Sequence, residues 1–210
     1  MKKLITLAAA ALISVTAAFA ENAFHFGAYF PLYSYEVEGE DISSSVYGAS
    51  VDYVHISDSG YTWKIGAALG NATNSDCKSI LNQDDLTGFD FEIEAGFGGS
   101  LIHDDKMTLS LTGNIGFRVQ VLENTETNNL LGIEATTTYG EVIGFAGPQV
   151  SFTYKILEHL GFYADLGIYY NTGYIIYEYD IKDSYNSNDS DDRDVSGFSA
   201  IPRIGIALVF

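Results

Sequence analysis

Cys77 is the one cysteine in the chain, so no intramolecular disulfide can staple the fold, and any covalent role for Cys77 needs a partner chain. Basic residues are nearly as scarce: Lys+Arg number 10 against 28 Asp+Glu, a formal net charge of -18. That balance repels phosphates and excludes nucleic acid as a partner. Beyond residue 20 no apolar run approaches the roughly 20 residues that cross a bilayer as a helix, which excludes a helical membrane protein. No linker, low-complexity tract or repeat divides the rest, so residues 21–210 are expected to form one domain.

The first twenty residues are expected to be a signal peptide. Met1, Lys2 and Lys3 make a positive start, Leu4 to Val15 an apolar run, and Ala18, Phe19 and Ala20 the small-x-small pattern of a cleavage site before Glu21. The apolar run is too short to anchor the chain as a helix.

The mature chain reads by twos. From Met107 to Val121 the odd positions include Leu109, Leu111, Ile115, Phe117 and Val119, while the even ones include Thr108, Ser110, Asn114, Arg118 and Gln120. One apolar and one polar face is the signature of a strand. Eight such stretches are expected, at 24–36, 46–56, 61–70, 88–101, 107–121, 136–154, 160–179 and 198–210. In the sixth, alternation slips around Gly144, Gly147 and Pro148, as a bulge would make it do.

Alternation does not separate a soluble sandwich from a membrane barrel, but the connections do. Those at 57–60, 103–106 and 155–159 are tight, whereas those at 37–45, 71–87, 122–135 and 180–197 are long and polar, in strict alternation. Short turns at one end and long loops at the other mark outer-membrane barrels. The expected fold is all-β: an eight-stranded antiparallel up-and-down transmembrane β-barrel in the bacterial outer membrane, with outer-membrane lipids as its surroundings.

At the C-terminus Ile204, Ile206, Leu208 and Phe210 alternate with Arg203, Gly205, Ala207 and Val209. This resembles the signal of outer-membrane proteins read by the barrel-assembly machinery, which implies that machinery as a partner and Phe210 as the assembly signal. The whole plan is similar to the small barrels of the OmpA membrane domain, OmpX and OmpW. That similarity is one of architecture and carries no site with it.

Inward positions hold Asp52, Asp90, Glu92, Glu94, Glu141 and Asp165 with Lys64, Arg118 and Arg203. Eight strands leave an interior just wide enough for side chains to fill, so a closed plug of salt bridges is expected. The alternative is a narrow porin-like channel for small or apolar solutes, threading past Gly66, Ala68, Gly96, Gly98, Gly167, Gly205 and Ala207. Pairing Leu101 with Met107 sets Asp90 opposite Arg118, with Glu92 one diagonal step away.

Enzymes of lipid chemistry on similar barrels need a histidine beside a serine or carboxylate near the outer rim. His25, His55, His103 and His159 all fall at the short-turn end instead, as polar residues of the interface. The protein is therefore expected to be non-catalytic and to need no cofactor. The last long connection carries Asp183, Asp189, Asp191, Asp192 and Asp194. It is expected to be a solvated acidic loop, open to contact with an extracellular ligand. A divalent cation on Asp189, Asp191, Asp192 and Asp194 is the sharper expectation, since calcium takes 6 to 8 oxygens, although the spacing is not that of an EF-hand.

Overall fold

The computed structural model describes residues 21–37, 40–42, 44–74, 86–128, 133–182 and 187–210; the expected signal peptide, Cys77 and Asp183 lie outside the described residues. Ten strand segments follow in order: β1 (Glu21–Tyr29), β2 (Leu32–Val37), β3 (Glu40–Ile42), β4 (Ser45–Ile56), β5 (Tyr61–Asn74), β6 (Leu86–His103), β7 (Met107–Asn128), β8 (Ile133–Leu157), β9 (Leu160–Lys182) and β10 (Ser187–Val209). Each pairs antiparallel with its neighbours in a single sheet. Because β1 pairs with both β10 and β4, the sheet closes on itself.

β1 and β2 are two halves of one stave, interrupted at Phe30 and Pro31, where proline has no N–H to give a ladder. β3 is a short return strand lying on β2. Eight staves therefore stand in the wall, the expected number. Following cross-strand partners from Phe24 through Tyr53, Ile65, Ala95, Ile115, Ala146, Tyr170 and Phe198 leads back to the first stave at Ser34. That stagger of ten residues, Phe24 to Ser34, forces the strands to tilt, as closure of a barrel demands.

The tight connections gather at one end and bond one another: Ser100 N–H to Gly60 O at 2.7 Å, Lys155 N–H to Lys106 O at 2.7 Å and Val209 N–H to His159 O at 3.1 Å. Gly60 sits at φ +82°, a left-handed conformation that glycine enters without a Cβ penalty. In the next turn the Asp104 carboxylate accepts from the N–H groups of Lys106 and Met107 at 2.9 and 2.8 Å, which holds its pKa below the usual aspartate value. Phe210 and Asn22 exchange both backbone hydrogen bonds, at 2.9 and 3.0 Å, and the Phe210 ring lies 5.8 Å from that of Phe24.

The strands outrun the expected boundaries at the other end. β8 has 25 residues and β10 has 23, whereas about 9–11 cross a bilayer. The long connections expected at 122–135 and 180–197 are thus largely continuous ladder; β7 pairs with β8 as far as Asn128↔Ile133, and β9 with β10 as far as Ile181↔Ser187. The physical reason is an inversion of polarity. On β7 Ile115 and Phe117 face outward and Asn114 and Arg118 are buried inside; further along, Leu122 is buried and Glu123 exposed. On β9 the change falls between exposed Ile176 and buried Tyr177, with Glu178 exposed beyond. Lower down the barrel is polar inside and apolar outside; above, it has an apolar core of Val46, Leu86, Leu122, Ile175 and Val195. A change of sign at Val121 and Leu122 looks like the end of a strand in sequence, yet the ladder to β8 continues as far as Asn128.

The sixth stave, β8, carries no bulge at Gly144, Gly147 and Pro148, and its register against β7 is unbroken. Alternation slips in sequence because Ile143 and Phe145, both apolar, point inward. Register shifts occur elsewhere, between Ser100 and Ile102 and between Lys155 and Leu157.

Candidate functional site: the lumen

All nine charged residues expected inside are there, none more than 5% exposed. Two basic centres organise them. In the lower layer Lys64 Nζ, from β5, lies 2.7 Å from Glu94, 3.6 Å from Asp52 and 3.8 Å from Asp165. Arg203, from β10, spans Asp52 at 3.2 Å, Glu92 at 2.5 Å and Glu94. Gln149 knits this layer: its amide oxygen accepts from Lys64 at 3.0 Å, Asn114 at 2.6 Å and the Tyr169 hydroxyl at 2.8 Å, and its amide nitrogen donates to Asp165 at 2.9 Å.

In the upper layer Arg118 meets Glu141 and lies 3.5 Å from Asp90. Its guanidinium carbon stands 3.5 Å from the centre of the Tyr33 ring, close enough for a cation–π contact in a dry site. The Tyr29 hydroxyl joins the two layers, donating to Glu92 at 2.9 Å or Asp90 at 3.1 Å and lying 2.8 Å from the Tyr33 hydroxyl.

The expected trio of Asp90, Glu92 and Arg118 is brought together, but its register needs correction. Arg118 pairs across the strands with Glu92, and Asp90 with Gln120. The hairpin closes at His103↔Thr108 and not at Leu101 with Met107, and after the one-residue shift between Ser100 and Ile102 every partner above stands two residues, one step on the same face, from the expected one. Glu92, although opposite Arg118, gives its ion pair to Arg203. Glu141, recognised as inward but not as a partner, completes the Arg118 centre.

Three of the inward glycines are filled by neighbouring side chains. A methyl group on Gly66 would overlap the Asp52 carboxylate, one on Gly116 the Phe145 ring, and one on Gly96 the Asn114 amide. These glycines are seats for larger side chains. The sequence reading missed the lumenal tyrosines as functional groups; the signal available was parity, since Tyr29, Tyr33 and Tyr35 all fall on the inward face of the first stave.

His25 is not an interface residue: it is buried inside the lumen, stacked on Tyr163 at 4.2 Å, with Nε2 3.3 Å from the Thr153 hydroxyl. His55 contacts Asn22, His103 contacts Thr108 and His159 the Val209 carbonyl, all at the short-turn end. The four aspartates expected to ligate a cation, Asp189, Asp191, Asp192 and Asp194, lie in strand, not loop. Among the described residues no group of three His, Cys, Asp or Glu side chains is arranged to hold a metal ion.

No protein-family model and no curated protein matches the sequence. Among solved structures, the chain is similar to a major outer membrane protein from Thermus thermophilus, at 13% identity and a TM-score of 0.53, over 92% of this chain and 100% of that one. The fold is that of an outer-membrane β-barrel. Looser likenesses are to Ail, the attachment invasion locus protein of Yersinia pestis, in complex with a heparin analogue (10% identity, TM-score 0.46, 92% and 100% covered), and to AlkL in lipid bilayers (13%, 0.45, 92% and 92%). In such a barrel the outward belt of Phe24, Ile65, Ile93, Ile115, Leu166 and Ile204 is the lipid face.

Proposed function

We propose that this protein is a non-catalytic barrel of the bacterial outer membrane, exported by its signal peptide, which is closed to solutes and presents acidic hairpins to the outside for envelope structure or ligand contact. The closed reading rests on one observation: two arginines, a lysine and six carboxylates fill the lumen as a connected, buried network. Single-channel recording of the purified protein in planar bilayers tests it. The expected trace is flat, and a large steady conductance would replace this reading with a channel for small solutes.

Orientation follows from the clustered short turns, which face the periplasm in such barrels. A membrane-impermeant maleimide should therefore label Cys77 on intact cells. It should not label Asp104→Cys in a Cys77→Ser background. The reverse pattern means that the barrel is inverted.

Phe210 serves assembly in this reading. Its backbone bonds to Asn22 do not depend on the side chain, and the ring is exposed beside Phe24. Phe210→Ala should refold in detergent with nearly wild-type stability, yet accumulate in the periplasm when expressed. Wild-type amounts of folded, heat-modifiable protein in the outer membrane would refute the role.

A further inference from the structure

The outward face changes character on each stave where the apolar belt ends. Above Leu32, Leu69, Phe89 and Phe198, all exposed, the next outward residues are Ser34, Asn71, Thr87 and Ser196. On β4 Ser45 follows Tyr47. The three remaining staves turn polar at Thr138 on β8, Glu123 on β7 and, beyond exposed Ile176, Glu178 on β9. Six of these eight boundary residues carry a neutral hydroxyl or amide, five of them exposed, the other two are glutamates, and none is basic. Side chains immediately above an apolar belt stand at the depth of the lipid headgroups.

Apart from Lys182, which ends β9 four residues beyond Glu178, the basic residues described are placed elsewhere. Lys64, Arg118 and Arg203 are sealed inside the lumen, and Lys106 and Lys155 belong to the short-turn end. Arg193 lies on the inward side of β10, 6.0 Å over the Tyr177 ring. Just beyond the boundary the exposed charges are negative: Glu36 beside Ser196 on the paired strand, and Asp194 two residues from Ser196 on the same face. A phosphate group drawn to this rim would meet carboxylates in place of an arginine fork or a lysine.

We infer that the outer rim of the barrel is a contact surface for uncharged, hydroxyl-rich lipid headgroups, such as those of sugar-bearing lipids, which exchange hydrogen bonds with the serine, threonine and asparagine side chains of the boundary. Hydroxyl and amide groups donate and accept, as sugar hydroxyls do, so both partners can be satisfied without a charge. The inference rests on the membrane placement proposed above.

The test uses the mature protein refolded into phosphatidylcholine vesicles, alone or with a neutral glycosyl diacylglycerol, or with phosphatidylglycerol with and without magnesium. The readout is the temperature at which the folded, fast-migrating band is lost on electrophoresis. The glycolipid should raise that midpoint by several degrees, unchanged by EDTA, while phosphatidylglycerol should not raise it. A Ser34→Ala, Thr87→Val, Ser196→Ala variant should keep its midpoint in phosphatidylcholine and lose the rise. Should that variant fail to fold, Asn71→Lys with Ser196→Lys supplies an independent arm: its midpoint should rise with phosphatidylglycerol. A rise with phosphatidylglycerol and magnesium that EDTA abolishes would assign the rim to cation-bridged phosphates and overturn the inference. So would a glycolipid rise that survives the hydroxyl deletions, or equal midpoints in every lipid. Failure to insert into any vesicle counts against the membrane placement itself and is read separately, from the absence of a folded band.

Discussion

Arg203→Ala is expected to be the most destabilising single substitution in the barrel. The guanidinium holds Asp52, Glu92 and Glu94 at once, all buried. Stranding one partner of a buried ion pair costs about 3 to 5 kcal/mol, and here Lys64 remains to serve Glu94 and Asp52 but not Glu92. The loss should therefore reach the upper part of that range. Arg203→Lys should fall between, because a point charge cannot fork to several carboxylates. Adding Glu92→Gln to Arg203→Ala should recover part of the loss, since the group left alone is then neutral. Urea unfolding in detergent, followed through the single tryptophan, Trp63, reads all three. A wild-type midpoint for Arg203→Ala would mean that the lower network contributes nothing to the fold.

Arg118→Ala comes second in stability and first in conductance. It leaves Asp90 and Glu141 without their cation and removes the group stacked on Tyr33. The expected loss is again about 3 to 5 kcal/mol, with partial recovery on adding Glu141→Gln. Removing so large a buried side chain from the upper layer also opens space beside two carboxylates. The variant should conduct small cations in planar bilayers where the wild type does not, and Glu141→Gln should lower its cation preference. If Arg118→Ala stays closed while losing stability, the lower layer around Arg203 is the true seal; if it loses neither, the upper network is not the structure's constraint.

The two centres differ in how legible they were. Parity alone placed Asp90, Glu92 and Arg118 on the inward face, because a strand has a period of two whatever its partner does. Their pairing depended on where the hairpin closes, at His103↔Thr108 and not at Leu101 with Met107, and on the one-residue irregularity near Leu101. Both are local backbone events with weak sequence signatures, and together they displaced the count by two residues, which keeps the face and changes the neighbour. Glu141 and Arg203 were read as inward too. Which carboxylate each base meets is set by stagger around the whole wall, and no single hairpin contains that information.

The acidic stretch before Gly197 shows a different limit. A run of aspartates in sequence looks solvated and irregular, and Asp192 and Asp194 are indeed exposed. The backbone there is nevertheless ladder, because β9 beside it offers Tyr174, Ile176 and Tyr177 in extended register and Val195 is buried beneath. Strand propensity depends on the neighbour as much as on the residue.

From sequence alone came the all-β class, the eight staves, the end at which the short turns gather, the lipid-facing belt and the nine charged residues of the interior. Each follows from period-two alternation and turn chemistry, which act within a few residues. Tertiary structure alone decided how far the strands rise, where the polarity inverts, which acids share Arg203 and which Arg118, and that Gly66, Gly96 and Gly116 seat neighbouring side chains. Those depend on the stagger at which the first stave meets the last, and closure is a property of the ring, to which every hairpin contributes and which none of them specifies.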